Sequence, residues 1–318
     1  MSTHDHEPSA GRLRVAIAII THRRPELLKA LLESLDGQRL REPERYDVRI
    51  VVVDNDADNT AAEVIAAAAK DATYPVTSAV EPEPGIPFAR ETSVKLCWDD
   101  DALIFVDDDE VAPPGWLDTL LTAWRETGAD VVTGPVKGRI PDEAPDWNRH
   151  SDVHDSTGKH RTGDVLDKAY TNNTLVARRV YHQVTPAFHP AFRHTGSSDL
   201  HFFLRVYAAG FRIVWCEEAV IAEDVPLART NLRWLMRRAF RSGSGDTISR
   251  RLIHPGLTSY LLTAALAAAR VASGVGYLLG GMVLARKRYL LKGFRRFFSG
   301  VGSFAGLVGV NYDEYKRA

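Results

Sequence analysis

Neither a Gly-x-x-x-x-Gly-Lys loop nor a Gly-x-Gly-x-x-Gly run occurs anywhere in the 318 residues. Their absence argues against a P-loop NTPase and against a dinucleotide-binding dehydrogenase, which need glycine there to bring backbone N–H groups up to phosphate. Cysteine is nearly missing. Cys97 and Cys216 stand apart in apolar surroundings, so no disulfide framework or zinc site is expected, and a reducing compartment is. The first residues lack the apolar core of a signal peptide. Residues 1–11 are polar and read as a disordered tail, with His4 and His6 as tail residues rather than ligands. No segment reaches the ~18 uninterrupted apolar residues of a spanning helix, and no repeat is apparent. Acidic residues are scarce in one region only. Residues 225–318 hold 3 Asp+Glu against 16 Lys+Arg, whereas residues 1–224 hold 38 against 24. An acidic body with a basic tail points to an anionic partner for the tail, membrane lipid or nucleic acid. The mainly acidic body disfavours nucleic acid.

What is present is ordinary globular composition, 45% hydrophobic and 25% charged, arranged as alternating strand and helix patterns. Leu13 to Ile20, Val48 to Val53 and Pro75 to Val80 read as strands, as do Ala102 to Val106 and Asp130 to Val136. Pro25 to Leu35, Thr60 to Lys70, Phe88 to Trp98 and Trp116 to Glu126 read as helices between them. This order predicts an α/β fold, a Rossmann-like, mostly parallel sheet with helices on both faces. Gly138 to Tyr170 is polar and reads as a long mobile loop. Beyond it, Thr174 to Ala177 is a return strand and Asp199 to Ala209 a helix with Ser198 or Ser197 as N-cap. Phe211 to Trp215 and Ala219 to Ala222 are short strands, and Thr230 to Arg241 is a basic amphipathic helix.

The last part differs. Leu257 to Ala269 and Val271 to Ala285 are two apolar stretches separated by Arg270. Arg286-Lys287-Arg288, Lys292 and Arg295-Arg296 follow, mixed with Tyr289, Phe294, Phe297 and Phe298. Basic residues among bulky apolar ones suit an interfacial segment on an anionic leaflet. A helical, basic and apolar appendage is therefore expected over residues 246–318, membrane-associating through its charge. The alternative is a helical cap on the soluble body.

The strongest chemical signal is Asp107-Asp108-Asp109-Glu110, directly after the apolar run Ala102-Leu103-Ile104-Phe105-Val106. Crowding carboxylates at a strand end is electrostatically costly. A hard divalent cation, held by one or two carboxylates and a substrate's phosphates, would offset the cost. A solvated acidic turn before Pro113-Pro114-Gly115 is the alternative. Three other polar groups close or follow neighbouring elements: Thr21-His22-Arg23-Arg24, Asp54-Asn55-Asp56 and the segment Glu83 to Arg90. Consecutive parallel strands carry their C-terminal ends to one rim, so these groups can converge. Asp54 or Asp56 can accept hydrogen bonds from a base or ribose, and Arg90 can pair with phosphate.

The segments VAIAIITHRRPELLKALLESL, VVVDNDADN, PGIPFARETSV and LIFVDDDEVAPPGWL, followed by GSSDLHFFLRVYAAGFRIVW and WLMRRAFRSG, resemble family 2 inverting glycosyltransferases of the GT-A fold. The resemblance spans most of residues 13–245 and is nearest to bacterial exopolysaccharide enzymes of the succinoglycan type. It implies a GT-A domain over 12–245, with a nucleotide-binding half over about 12–137 and an acceptor half over about 138–245. It implies transfer of a hexose, from a UDP sugar by expectation, to a hydroxyl of a glycan or polyprenyl-linked saccharide. The setting implied is the inner face of the cell membrane, with a transmembrane or re-entrant C-terminal segment as the alternative.

By position, Asp107 and Asp109 match the family's Asp-x-Asp motif. Asp107 is expected near the ribose, and both as ligands of Mg²⁺ or Mn²⁺, with Asp108 structural. Thr21, Asp54 and Arg90 match nucleotide-contacting positions, with Asp56 an alternative to Asp54. Asp199 matches the catalytic base, in a Gly-Ser-Ser-Asp setting where the family commonly has Gly-Gly-Glu-Asp. His201 stands where another acid is common and is read as a structural histidine. Glu223 and Asp224 fall where relatives often place a metal or diphosphate contact. An inactive GT-A scaffold or sugar-binding protein at the membrane, and a nucleotidyltransferase, are the rival readings. Intact Asp107 and Asp109 argue against the first, and the lack of a Gly-rich, Lys-containing signature after the first strand argues against the second.

Overall fold

The structure, a computed structural model, describes residues 11–155, 160–193 and 195–310. The tail expected at residues 1–11 lies outside these except for Gly11, as do His4 and His6. The chain runs β1 (Leu13–Thr21), α1 (Pro25–Asp36), β2 (Tyr46–Asp54), α2 (Ala62–Ala68), β3 (Val76–Val80), α3 (Ile86–Leu96) and β4 (Ala102–Asp107). It continues through β5 (Glu110–Val111), α4 (Trp116–Thr127), β6 (Val131–Thr133), β7 (Val136–Arg139), α5 (Asp146–Arg149), β8 (Val165–Leu166), β9 (Thr174–Ala177) and α6 (Arg178–Gln183). Then follow α7 (Ser198–Ala208), β10 (Ile213–Trp215), β11 (Ile221–Asp224), α8 (Leu232–Ile253), α9 (Leu257–Val283) and α10 (Lys287–Leu307).

The chain forms two compact units. The first comprises residues up to 137, 156–188 and 206–223. Its eight-stranded sheet has the order β3-β2-β1-β4-β9-β6-β10-β8. β1 pairs in parallel with β2 on one side and β4 on the other. These strands are Val/Ile-rich because both faces are covered; Val15, Ile17, Ile19, Val52 and Ile104 are all fully buried. α1 starts at Pro25, whose missing N–H costs nothing in a first turn, and turns Leu28, Leu31, Leu32 and Leu35 into the core. From β1 the chain steps outward to β2 and β3, then returns through α3 to β4 on the other side of β1. Such a reversal opens a crevice beyond the C-terminal strand ends, and Thr21 and Asp107 are the last residues of β1 and β4.

The strand expected over Asp130 to Val136 is two strands, β6 and β7, broken at Gly134-Pro135. Pro135 has no N–H for a ladder. A Cβ on Gly134 would stand 2.3 Å from the Ala219 carbonyl oxygen. Asn173, fully buried, holds this break: it accepts from Trp116 Nε1 at 2.7 Å and donates to the Pro135 and Ala219 carbonyls. The span from Gly138 to Tyr170 is not a structureless loop, since it contains α5 and β8.

The second unit comprises residues 138–155, 189–205 and 224 onward. Most of it is three long helices. The basic helix expected at Thr230 to Arg241 continues to Ile253, and the limit expected at 245 falls inside it. Gly243 and Gly245 do not end α8, because there they serve close packing. A Cβ on Gly243 would lie 1.9 Å from the Ser299 carbonyl oxygen of α10. The two apolar stretches are likewise one helix, α9. Arg270 does not interrupt it because its guanidinium turns inward, to Asp246 at 2.8 Å and Ser303 at 2.9 Å. Among the described residues α9 is the one helix long and apolar enough to cross a membrane, by length and composition, and 17% of its most apolar window is buried.

Candidate active site

The end of β4 gathers charge from three elements. Asp107 closes the strand, Asp108 and Asp109 form the turn, and Glu110 opens β5. β11 lies antiparallel to β5 with Glu223 opposite Glu110. Five carboxylates thus gather at the end of β4, and among the described residues Arg90 and Arg24 reach them. Arg90, buried in α3, donates to Asp107 at 2.9 Å and lies against the Phe188 ring. Arg24 bridges Asp108 at 3.2 Å and Asp109 at 3.3 Å. Glu110 is fully buried and accepts from the Asp107 backbone N–H at 2.9 Å. Burial pushes the Asp107, Asp108 and Glu110 carboxyls above the usual range. For Asp107 the neighbouring Asp109, Asp108 and Glu223 act in the same sense, against Arg90.

Thr21 is buried and its hydroxyl donates to Asp108 at 2.8 Å, which ties the ends of β1 and β4 together. Asp108 accepts from both Thr21 and Arg24 and so acts as an internal brace. The second loop is braced too. Asp54 accepts from the backbone N–H groups of Asp56 and Ala61, and Asp56 accepts from Arg23 at 2.9 Å and from Thr60. The Arg23 hydrogen bond holds the Asp56 carboxyl down at about 2. Asn55 joins this loop to the next: its amide donates to the Glu81 and Glu83 carbonyls and accepts from Gly85 N–H. Gly85 has φ +140°, a conformation that glycine adopts readily. The structure therefore brings Thr21, Arg90, Asp107 and Asp109 to one rim, with Asp54 and Asp56 on the adjoining loop. Sequence reasoning placed Arg24, Asn55 and Glu110 within the converging polar groups but gave none of them a role of its own, because the contacts each makes show only in the fold.

Asp199 and His201 belong to the second unit, in the first turns of α7. Asp199 accepts from the Leu200 N–H. His201 is buried against Phe192, with centroids 5.0 Å apart, and its Nδ1 has no hydrogen-bond partner among the described residues. Burial pushes it down to about 4, as burial also does for His154. Both fit structural, neutral imidazoles. The sign for stability follows from unfolded histidine titrating near ~6.5. Between there and about pH 4 the unfolded chain binds a proton that native His201 does not. Its contribution to stability therefore falls with falling pH by ~1.4 kcal/mol per unit. Urea unfolding at pH 7, 6 and 5 should show a smaller acid loss for His201→Leu than for the parent chain. Equal slopes would contradict the neutral, buried assignment. Asp224 forms a two-point ion pair with Arg139 at 2.7 and 2.8 Å, whereas Glu223 faces the acidic cluster.

Among the described residues no three His, Cys, Asp or Glu side chains form a ready-made metal cage. The residues nonetheless fit a hard cation that takes one or two carboxylates plus substrate phosphates. The donors at the turn are oxygen only, and five carboxylates gather there.

Known proteins resemble this chain in sequence and fold. Residues 16–185 match the model of "Glycosyl transferase family 2". The chain is 34% identical over 234 residues to the succinoglycan biosynthesis protein ExoM of Rhizobium meliloti (strain 1021), covering 73% of each. Among solved structures it superposes on the mannosyltransferase PcManGT of Pyrobaculum calidifontis, in complex with GDP-Man and Mn²⁺, with TM-score 0.62 and 18% identity over 93% of this chain and 87% of that one. S. aureus TarS 1-349 gives TM-score 0.55 and 14% identity over 94% and 93%. With the family model over more than half its length and a relative of this identity, the chain belongs to glycosyl transferase family 2, on a GT-A fold, and is a glycosyltransferase related to succinoglycan biosynthesis.

Proposed function

We propose that this enzyme is a metal-dependent, inverting hexosyltransferase. It would move a sugar from a nucleoside diphosphate sugar, UDP-linked by first expectation, to a hydroxyl of a glycan or polyprenyl-linked saccharide in cell-surface or exopolysaccharide synthesis. The observation that carries this reading is the carboxylate cluster at the end of β4, which Glu223 of β11 joins. TarS 1-349 was solved with UDP-GlcNAc and PcManGT with GDP-Man and Mn²⁺, so both nucleotides belong in the donor screen.

Asp107 and Asp109 would hold Mg²⁺ or Mn²⁺, which when bound supplies Lewis-acid charge toward the donor's diphosphate. Arg90 would steady Asp107 toward the ribose. The Asp54-Asn55-Asp56 loop, its carboxylates already fixed, would shape the base pocket, and Thr21 would contact the nucleotide from the β1 end. Asp199 would take the proton of the acceptor hydroxyl as that oxygen attacks the anomeric carbon. The new C–O bond forms as the bond to the diphosphate breaks. The nucleoside diphosphate leaves with that electron pair, and one displacement inverts the anomeric centre through an oxocarbenium-like state. In this reading residues of about 12–137 serve the donor and those of about 138–245 the acceptor. The tail beyond would hold the enzyme at the inner face of the membrane. A donor-hydrolysis screen over UDP, GDP and TDP sugars, each with Mg²⁺ or Mn²⁺, tests the reading. Turnover of one donor class is expected, and no turnover of any would contradict it.

A further inference from the structure

We propose that α9 and α10 form an in-plane, single-leaflet anchor. The outer face of α9 lies against acyl chains, and Lys292 and Arg296 of α10 sit at the level of anionic phosphates. This rests on the membrane side of the reading above and replaces its spanning alternative.

The outward face of α9 carries no charge over its whole length. Leu257, Leu261, Leu262, Leu279 and Met282 are between 56% and 74% exposed, and the helix's one ionic group, Arg270, is turned onto Asp246. An apolar face of this extent marks an interaction surface rather than ordinary exposure. Its neighbour supplies the opposite character. α10 packs antiparallel along α9 through glycines: a Cβ on Gly274 would lie 2.6 Å from Phe297 N, one on Gly281 2.8 Å from Leu290, and one on Gly300 2.7 Å from Val271. This register sets the cations of α10 beside the C-terminal half of α9. Lys292 Nζ stands 4.4 Å from the centre of the Tyr277 ring, which stacks on Tyr289. Arg296 donates to Ser273 at 2.8 Å.

Charge complementarity identifies the occupant. Residues 247–310 contain nine Lys+Arg and no Asp or Glu, so no carboxylate within the segment competes for the cations. Tyrosine and basic side chains beside an apolar face are the composition of an interfacial helix on anionic lipid. The same register argues against a span. Were α9 to cross, Lys292 and Arg296, alongside Leu279 and Val275, would be carried into hydrocarbon, where charged side chains are costly. Lying in the plane, the pair keeps its apolar face down and its cations at one depth.

The test is flotation of the full-length protein with vesicles of phosphatidylcholine and phosphatidylglycerol in equal parts, against phosphatidylcholine alone. Binding should be at least about tenfold stronger to the anionic vesicles and fall with salt. Lys292→Gln with Arg296→Gln should remove most of that preference. Leu261→Asp with Leu279→Asp, both at exposed sites, should abolish flotation while donor hydrolysis in detergent stays at the parent level. With His254→Cys and Lys287→Cys, at the two ends of α9, an impermeant maleimide added outside should label both. Protection of one of them would establish a span and overturn the in-plane anchor. Undiminished flotation of the double Asp variant would place docking elsewhere. Indifference to both vesicle types, with dimers that the double Asp variant loses, would make the face a contact between copies. Flotation as expected from a chain that turns over no donor would instead strike the catalytic reading and leave the anchor standing.

Discussion

Asp109→Asn should reduce glycosyl transfer by on the order of 10²-fold or more and abolish metal-dependent binding of the donor, while leaving the fold as stable as before or more so. The loss follows from removing a charged oxygen ligand where charge must be balanced on a departing diphosphate; deleting one such electrostatic contact typically costs ~10²–10³ in rate. The stability side follows from the crowding at the β4 end. Asp109 adds to the repulsion that raises Asp107 and Glu110, so its neutral isostere relieves the folded state, as sites kept for function at a cost in stability commonly do when altered. Arg24 keeps Asp108 as a partner at 3.2 Å. Steady-state transfer and thermal unfolding on the same preparation check both halves. Full activity would remove Asp109 from the metal site, and a large fall in melting temperature would mark it as a structural brace.

Asp199→Asn is expected to have an effect of similar size with a different signature. The amide keeps the shape and cannot accept the acceptor's proton, so kcat should fall by at least the ~10² typical of a lost general base, with donor affinity near the parent value. Asp199 opens α7, where an acid also favours the helix through its dipole, by only ~0.3–1 kcal/mol. A purely capping role would therefore appear as a small stability change with little effect on turnover. Lost donor affinity with unchanged turnover would place the residue in the donor site instead.

The two expectations differ in how far sequence could carry them. The ends of β1, β2 and β4 were legible because strands buried on both faces write themselves as unbroken Val and Ile, and the polar residue that stops the run is then at the rim. What each rim residue touches was not legible. Asp54 and Asp56 look like free acceptors in sequence, yet their oxygens hold Ala61, Thr60 and Arg23. Arg24 answers Asp108 and Asp109, whose proximity only the sheet creates. The tail is helical as expected, but the length of its helices is hidden for the same reason. A lone arginine in an apolar run looks like a break until Asp246, on the preceding helix, is seen to receive it. Gly243 looks like a helix stop until α10 is found against it. The break at Gly134-Pro135 was hidden because its cause, the Ala219 carbonyl, lies far along the chain.

The most direct test of the central claim, that the acidic turn after β4 is a metal-dependent donor site, is turnover of the preferred nucleoside diphosphate sugar by the parent enzyme. It is measured first with Mn²⁺ or Mg²⁺, then after exhaustive EDTA treatment, then with the metal restored. The claim predicts loss of nearly all turnover in EDTA and its recovery on adding the metal back. Full turnover in EDTA would contradict it and leave the departing diphosphate to be met by side chains alone.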